Sequence, residues 1–112
     1  MHILSNISTS NLDRLTDMGD FLKAIDKVIE GTGVQDLGRV THKFPDDSGY
    51  TIVVCLAESH IAVHTWPELG KVTLDVYLCN YLHDNTAKCE SIYASIEEYF
   101  QPDKAEVTRI DR

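Results

Sequence analysis

Between Lys71 and Cys79 apolar and polar residues alternate without a break, with Val72, Leu74, Val76 and Leu78 on one side and Thr73, Asp75, Tyr77 and Cys79 on the other. Successive side chains of an extended strand point to opposite faces, whereas a helix would scatter this set around its circumference. The run therefore calls for a sheet with one apolar face. Two neighbouring runs follow the same rule. In Tyr50–Ala57, Ile52, Val54 and Leu56 point inward and Thr51, Val53, Cys55 and Ala57 outward; in His60–Trp66, Ile61 and Val63 point inward, with His60, Ala62, His64 and Trp66 opposite. Pro67-Glu68-Leu69-Gly70 supplies the hairpin turn between the last two runs.

An apolar sheet face has to be covered, and two helical stretches can cover it. Leu15, Met18, Phe21, Leu22, Ile25, Val28 and Ile29 recur at threes and fours after a polar start at Asn11, and Gly31-Thr32-Gly33 ends them. Ala87, Ile92, Ala94, Ile96, Tyr99 and Phe100 form a second apolar stripe, stopped at Gln101-Pro102-Asp103. Residues 2–9, 37–44 and 105–110 read as flanking strands, the last at an edge. The expected fold is α+β, an antiparallel sheet with two helices packed on one face. The outward face still carries Val53, Cys55, Ala62, Trp66 and Tyr77, too much apolar surface to leave wet, so it is expected to form a dimer interface.

A chain of 112 residues without a Pro/Gly/Ser-rich break reads as a single domain spanning 1–112. Ten basic residues against 18 acidic ones, a net charge of −8, argue against nucleic acid or an anionic membrane as partner. The opening residues lack a basic, then apolar, signal pattern, and no run is long enough to span a bilayer, so a cytoplasmic location is expected. Three cysteines without a C-x-x-C pair exclude a disulfide framework and a zinc ribbon.

Reactive groups concentrate in Glu58-Ser59-His60-Ile61-Ala62-Val63-His64-Thr65-Trp66-Pro67-Glu68, and Cys79 follows at the end of the alternating run. Strand parity puts Thr51, His64 and Cys79 on one face. The parity breaks between Ala57 and His60, which requires a bulge or tight turn at Glu58-Ser59. A serine in a turn is by itself an ordinary surface residue, and no G-x-S-x-G elbow surrounds this one. His64 is the side chain most easily tuned to move protons near neutrality. A zinc site built on His60 and His64 is disfavoured, because four residues of strand separate them by roughly 13 Å, so no metal is expected.

Glu58-Ser59-His60, then His64-Thr65-Trp66-Pro67-Glu68, then Asp75-x-x-x-Cys79 resemble the signature of the prokaryotic S-adenosylmethionine decarboxylases, small pyruvoyl-dependent enzymes of polyamine synthesis. Thr41-His42-Lys43-Phe44 and the order of helices and strands extend the likeness over nearly the whole chain. The resemblance implies a proenzyme that cuts itself at Glu58-Ser59 into a beta chain, 1–58, and an alpha chain, 59–112. Ser59 Oγ attacks the Glu58 carbonyl to give an ester. Removal of the Ser59 α-proton, the step assigned by the resemblance to His64, then expels the upstream chain as a carboxylate and leaves a dehydroalanine, which hydrolyses with loss of ammonia to a pyruvoyl group derived from Ser59.

That ketone implies Schiff-base chemistry with the α-amine of S-adenosylmethionine, acting as an electron sink as carbon dioxide departs. Cys79 matches the family's general acid, Glu68 the position that binds the ribose hydroxyls, and Phe44 the candidate for stacking on adenine. Thr51 stands where the family typically has a serine that assists processing, and Asn80 where a glycine usually follows the cysteine. The expected product is the aminopropyl donor for spermidine, made by a homodimer of cleaved protomers. Two alternatives stay open at this point: a relative turned to arginine or ornithine, and a catalytically silent paralogue that regulates an active partner.

Overall fold

The computed structural model describes residues 1–112. Strands β1 (His2–Ser8), β2 (Asp36–Lys43), β3 (Tyr50–Leu56), β4 (Ser59–Trp66), β5 (Lys71–Leu78) and β6 (Lys104–Ile110) form one antiparallel sheet in the order β2-β3-β4-β5-β1-β6. Helices α1 (Leu12–Thr16), α2 (Met18–Thr32) and α3 (Thr86–Phe100) complete the α+β architecture. No helix is long and apolar enough to cross a membrane.

Cross-strand register explains why the core is one-sided. Ile52 lies opposite Val63, Val63 opposite Leu74, Val76 opposite both Ile61 and Ile3, and all of these side chains are buried. Neighbours across an antiparallel ladder share a face, so each apolar row continues from strand to strand. Phe21 and Ile25 of α2 and Cys89, Ile92, Tyr93, Ile96 and Phe100 of α3 close over that face. The Phe21 ring packs against Tyr50 at 5.6 Å and stacks on Phe100 at 5.3 Å, which ties both long helices to the start of β3.

The first helical stretch is not one helix. It breaks at Asp17, so three helices cover the sheet where the apolar spacing predicts two. In a continuous helix the carbonyls of Arg14 and Leu15 would accept from amides one turn ahead. Here they accept instead from sheet side chains: Tyr50 Oη donates to Arg14 O at 2.8 Å and Thr65 Oγ1 to Leu15 O at 2.8 Å. The Asp17 carboxylate then caps the next helix, accepting from Asp20 N at 3.0 Å. Periodicity continues through the break, because Leu15 and Phe21 are both fully buried. Burial pushes the Tyr50 phenol strongly up, so it stays protonated and available as a donor.

Turns fall where the sequence places them. Asp46 and Asp47 both take positive φ, and Gly49 at φ 108° passes so close to β4 that an added Cβ would lie 2.4 Å from Thr65 O. A single 3-10 turn at Pro67–Leu69 and left-handed Gly70 join β4 to β5. Residues 57–58 form the tight turn between β3 and β4, and Ser59 pairs with Leu56 and Leu78.

Thr65 is the node that fixes α1 on the sheet, since its hydroxyl also accepts from Tyr50 N at 2.9 Å while only 3 % exposed. Thr65→Val keeps the shape but leaves the Tyr50 amide and the Leu15 carbonyl unpaired. Chemical denaturation of Thr65→Val is expected to show a loss of about 2–3 kcal/mol, and Thr65→Ser, which keeps the hydroxyl, a smaller one.

Candidate active site

Two clusters of reactive side chains lie at opposite ends of β4. The first is built around the tight turn that precedes it. Ser59 has φ 153°, a backbone region that side-chain-bearing residues rarely adopt and that costs of order 1–3 kcal/mol. The carbonyl just upstream, Glu58 O, accepts a hydrogen bond from Cys79 N at 2.9 Å. Cys79 itself follows the last residue of β5, half-buried, and its Sγ accepts from Tyr81 N at 3.3 Å. Ser59, the Glu58 carbonyl and Cys79 therefore meet at one corner of the sheet.

Asn85 holds that corner and was not recognised from the sequence. It is 3 % exposed, and its side-chain amide donates both to the Glu58 carboxylate and to Cys79 O, the latter at 2.8 Å. Its backbone N–H donates to Asn80 Oδ1 at 2.7 Å, and Asn80 Nδ2 reaches Thr86 Oγ1 at 3.3 Å. The loop from residue 80 to α3 is thus cinched onto the Glu58-Ser59 turn. Asn80, which stands where glycine was the family expectation, supplies one of these bonds. The only sequence signal was an asparagine just before a helix, which ordinarily reads as a cap. His83 Nε2 lies 3.5 Å from the Glu58 carboxylate on the exposed side.

The second cluster sits at the far end of β4. Thr51 Oγ1 and His64 Nδ1 are 3.1 Å apart across the β3–β4 ladder, where the two residues are directly paired. They line a concavity of about 260 Å³ together with Phe44, Ser48, Thr65, Trp66 and Glu68. The His64 ring lies 6.0 Å from Trp66, and Phe44 packs edge-on to His42 at 4.6 Å. Aromatic rings, a carboxylate and an imidazole so arranged suit a flat, partly cationic ligand with hydroxyl groups.

The family resemblance links Ser59 and His64 in one reaction, and the structure separates them along one strand. Five residues of extended strand put their backbones roughly 16 Å apart. Of the predicted site residues, Glu58, Ser59 and Cys79 come together in one cluster, and Phe44, Thr51, His64 and Glu68 in the other. Shared parity placed Thr51 and His64 on one face, but parity carries no information about position along the strand. Cys79 lies beyond the end of β5, so its backbone amide is free to turn toward Glu58. No group of three or more His, Cys, Asp or Glu side chains is close enough to share a metal ion.

Known proteins share this chain's sequence and fold. The family described as S-adenosylmethionine decarboxylase matches residues 1–112. A relative from Methanococcus maripaludis, named S-adenosylmethionine decarboxylase proenzyme, is 34% identical over 111 residues, which are 99% of this chain and 87% of the relative. Another of that name, from Archaeoglobus fulgidus, is 33% identical over 88 residues, 79% of this chain and 74% of the relative. The crystal structure of the adenosylmethionine decarboxylase from Aquifex aeolicus VF5 superposes with a TM-score of 0.84 at 27% identity, covering 96% of this chain and 84% of that one. With the family matched along its full length and its fold reproduced, this chain belongs to the S-adenosylmethionine decarboxylase family.

Proposed function

We propose that this protein is a carboxy-lyase that removes carbon dioxide from S-adenosylmethionine, yielding the aminopropyl donor for spermidine, after cutting itself at Glu58-Ser59. The relatives' naming as proenzymes supports the self-cleavage. The observation that carries it in this chain is the Cys79 N–H aimed at the Glu58 carbonyl, 2.9 Å away, beside a strained Ser59.

The chemistry follows from that corner. Attack of Ser59 Oγ on the Glu58 carbonyl carbon turns the carbonyl oxygen into an oxyanion, and the Cys79 N–H bond strengthens as that charge develops. Asn85 fixes the Glu58 side chain and the Cys79 carbonyl, so the donor is already in place. Collapse of the adduct breaks the 58–59 peptide bond in favour of an ester and releases backbone strain at Ser59. The conversion of Ser59 to a pyruvoyl group fits these surroundings: residue 59 is half-buried, next to a thiol that can protonate a carbon centre. When formed, the pyruvoyl group supplies an electrophilic carbonyl that delocalises the electrons left by carbon dioxide. In one assembled site, Phe44 and Trp66 of one copy lie against adenine and sulfonium and its Glu68 on the ribose hydroxyls, while Cys79 of the other copy returns the proton.

The two clusters complete one another only between copies. The outward face exposes Val40 at 74 % and Val53 at 37 %, beside Phe44 and Trp66, and an apolar sheet face of this kind is covered in a stable assembly. Two-fold pairing through that face matches one end of β4 with the opposite end of the partner's β4. The partner's His64 and Thr51 then serve Ser59 and Cys79 of this chain, removing the α-proton that His64 of the same chain is too distant to reach. Carboxylates with this chain's net charge of −8 also favour a cationic substrate over an anionic one.

Three measurements test this reading. Intact mass of purified protein is expected to show fragments 1–58 and 59–112, the second reactive toward hydrazine, and Ser59→Ala is expected to remain one chain; cleavage in that variant defeats the mechanism. Co-expression of Ser59→Ala with His64→Ala should cleave the His64→Ala chain in the mixed dimer but not alone, and an uncleaved mixture rules out the shared site. Carbon dioxide release is expected from S-adenosylmethionine and not from arginine or ornithine, with Cys79→Ala slowing turnover by about 10²–10⁴-fold without blocking cleavage.

A further inference from the structure

The attack on Glu58 requires a group to take the Ser59 hydroxyl proton; His64 of the same chain is far along the strand, and the partner's His64 is assigned to the later α-proton removal. His60 is adjacent. Its Nδ1 lies 3.5 Å from Ser59 Oγ, a long contact of the kind that tightens as a reacting complex forms. The ring is held in place by a row of outward side chains on four neighbouring strands. Cys55 of β3 pairs with His60, His60 with Tyr77 of β5, and Tyr77 with His2 of β1. The His60 ring meets Tyr77 edge-on at 5.9 Å and His2 at 6.1 Å, and His2 lies 5.4 Å from Tyr77. Arg112 lies over the Tyr77 ring at 4.6 Å and approaches His2 Nδ1 at 3.3 Å.

This row has no use in the ligand pocket around Glu68, and packing alone does not require it. His2 Nε2 is buried without a hydrogen-bond partner, a cost that a purely structural residue could avoid as phenylalanine or leucine. Burial pushes the His2 imidazole down against the opposing pull of Asp75, so a neutral ring faces His60.

We propose that His60 is a further catalytic residue of self-cleavage, the proton shuttle of the N→O acyl shift, positioned by His2 and Tyr77. The inference rests on the proenzyme reading. With Nδ1 free to accept, the His60 ring takes the Ser59 Oγ proton there as the Oγ–C bond to Glu58 forms. When the C–N bond of the adduct breaks, the same proton passes from Nδ1 to the Ser59 nitrogen. Atoms and charge balance, since the step is an isomerisation from amide to ester. His60 thus serves ester formation, and the partner's His64 serves the later elimination.

The two histidines separate in a hydroxylamine trap, which cuts an ester but not the parent amide. Freshly produced wild type, His60→Ala and His64→Ala are followed by intact mass, with and without hydroxylamine and with and without imidazole. His60→Ala is expected to cleave on the order of 10²-fold more slowly, to yield no hydroxylamine-dependent fragments, and to regain rate with imidazole. His64→Ala is expected to release 1–58 and 59–112 with hydroxylamine. Wild-type cleavage with an unchanged His60→Ala rate, or an ester trapped in His60→Ala, overturns the inference alone. Slow cleavage that imidazole does not relieve assigns His60 a packing role and also overturns it. A wild-type chain that stays intact under all conditions removes the proenzyme reading itself, and this inference with it.

Discussion

One-sided burial governs this molecule. A six-stranded antiparallel sheet carries apolar rows on one face, and all three helices lie over that face. The rows fix the register, because a slip of one residue would turn every buried side chain outward. Fixed register in turn sets which polar groups meet on the uncovered face: Thr51 beside His64 at one end, Cys55, His60, Tyr77 and His2 in a row nearer the other. The reactive surface is therefore the complement of the core pattern, and the same alternation that buries Val63 presents His64.

The ends of the strands add what alternation cannot. A tight turn before Ser59 forces an unfavourable φ, and the strand end after Leu78 frees the Cys79 amide to bond Glu58 O. Asn85 locks this corner from the loop that leads into α3. Strain and a preset donor at a single peptide bond have no role in an ordinary hairpin, where the turn would relax to a favoured type. They do have a role at the peptide bond proposed to be cut. The proposed pairing of two sheets then accounts for both the exposed apolar patch and the distance between the clusters, with one physical arrangement serving assembly and chemistry together.

Much of this was legible in the sequence. Strand parity identified the inward and outward sets of β3, β4 and β5, and the reactive block with Cys79 carried the family resemblance that the full-length match later established. What was not legible involves contacts between residues far apart in the chain. Apolar spacing ran straight through Asp17, and nothing local announced that Tyr50 and Thr65 would take the carbonyls a continuous helix needs. Asn85 lies in the loop before α3 and carries no periodic signal of its contacts with Glu58 and Cys79. The family resemblance joined Ser59 and His64 in one reaction, although strand extension already sets them far apart within one chain.

The sequence by itself determined which side chains lie on which face, since a period of two or of three to four is a local property of backbone geometry. It also determined the chemical inventory: a serine, a thiol, an imidazole and carboxylates at fixed intervals. Tertiary structure alone decided where along the sheet those groups fall, which hydroxyl ends α1, and which amide faces the Glu58 carbonyl. Those outcomes depend on hydrogen bonds and packing between segments brought together only by folding, and such contacts leave no periodic trace in the chain that makes them.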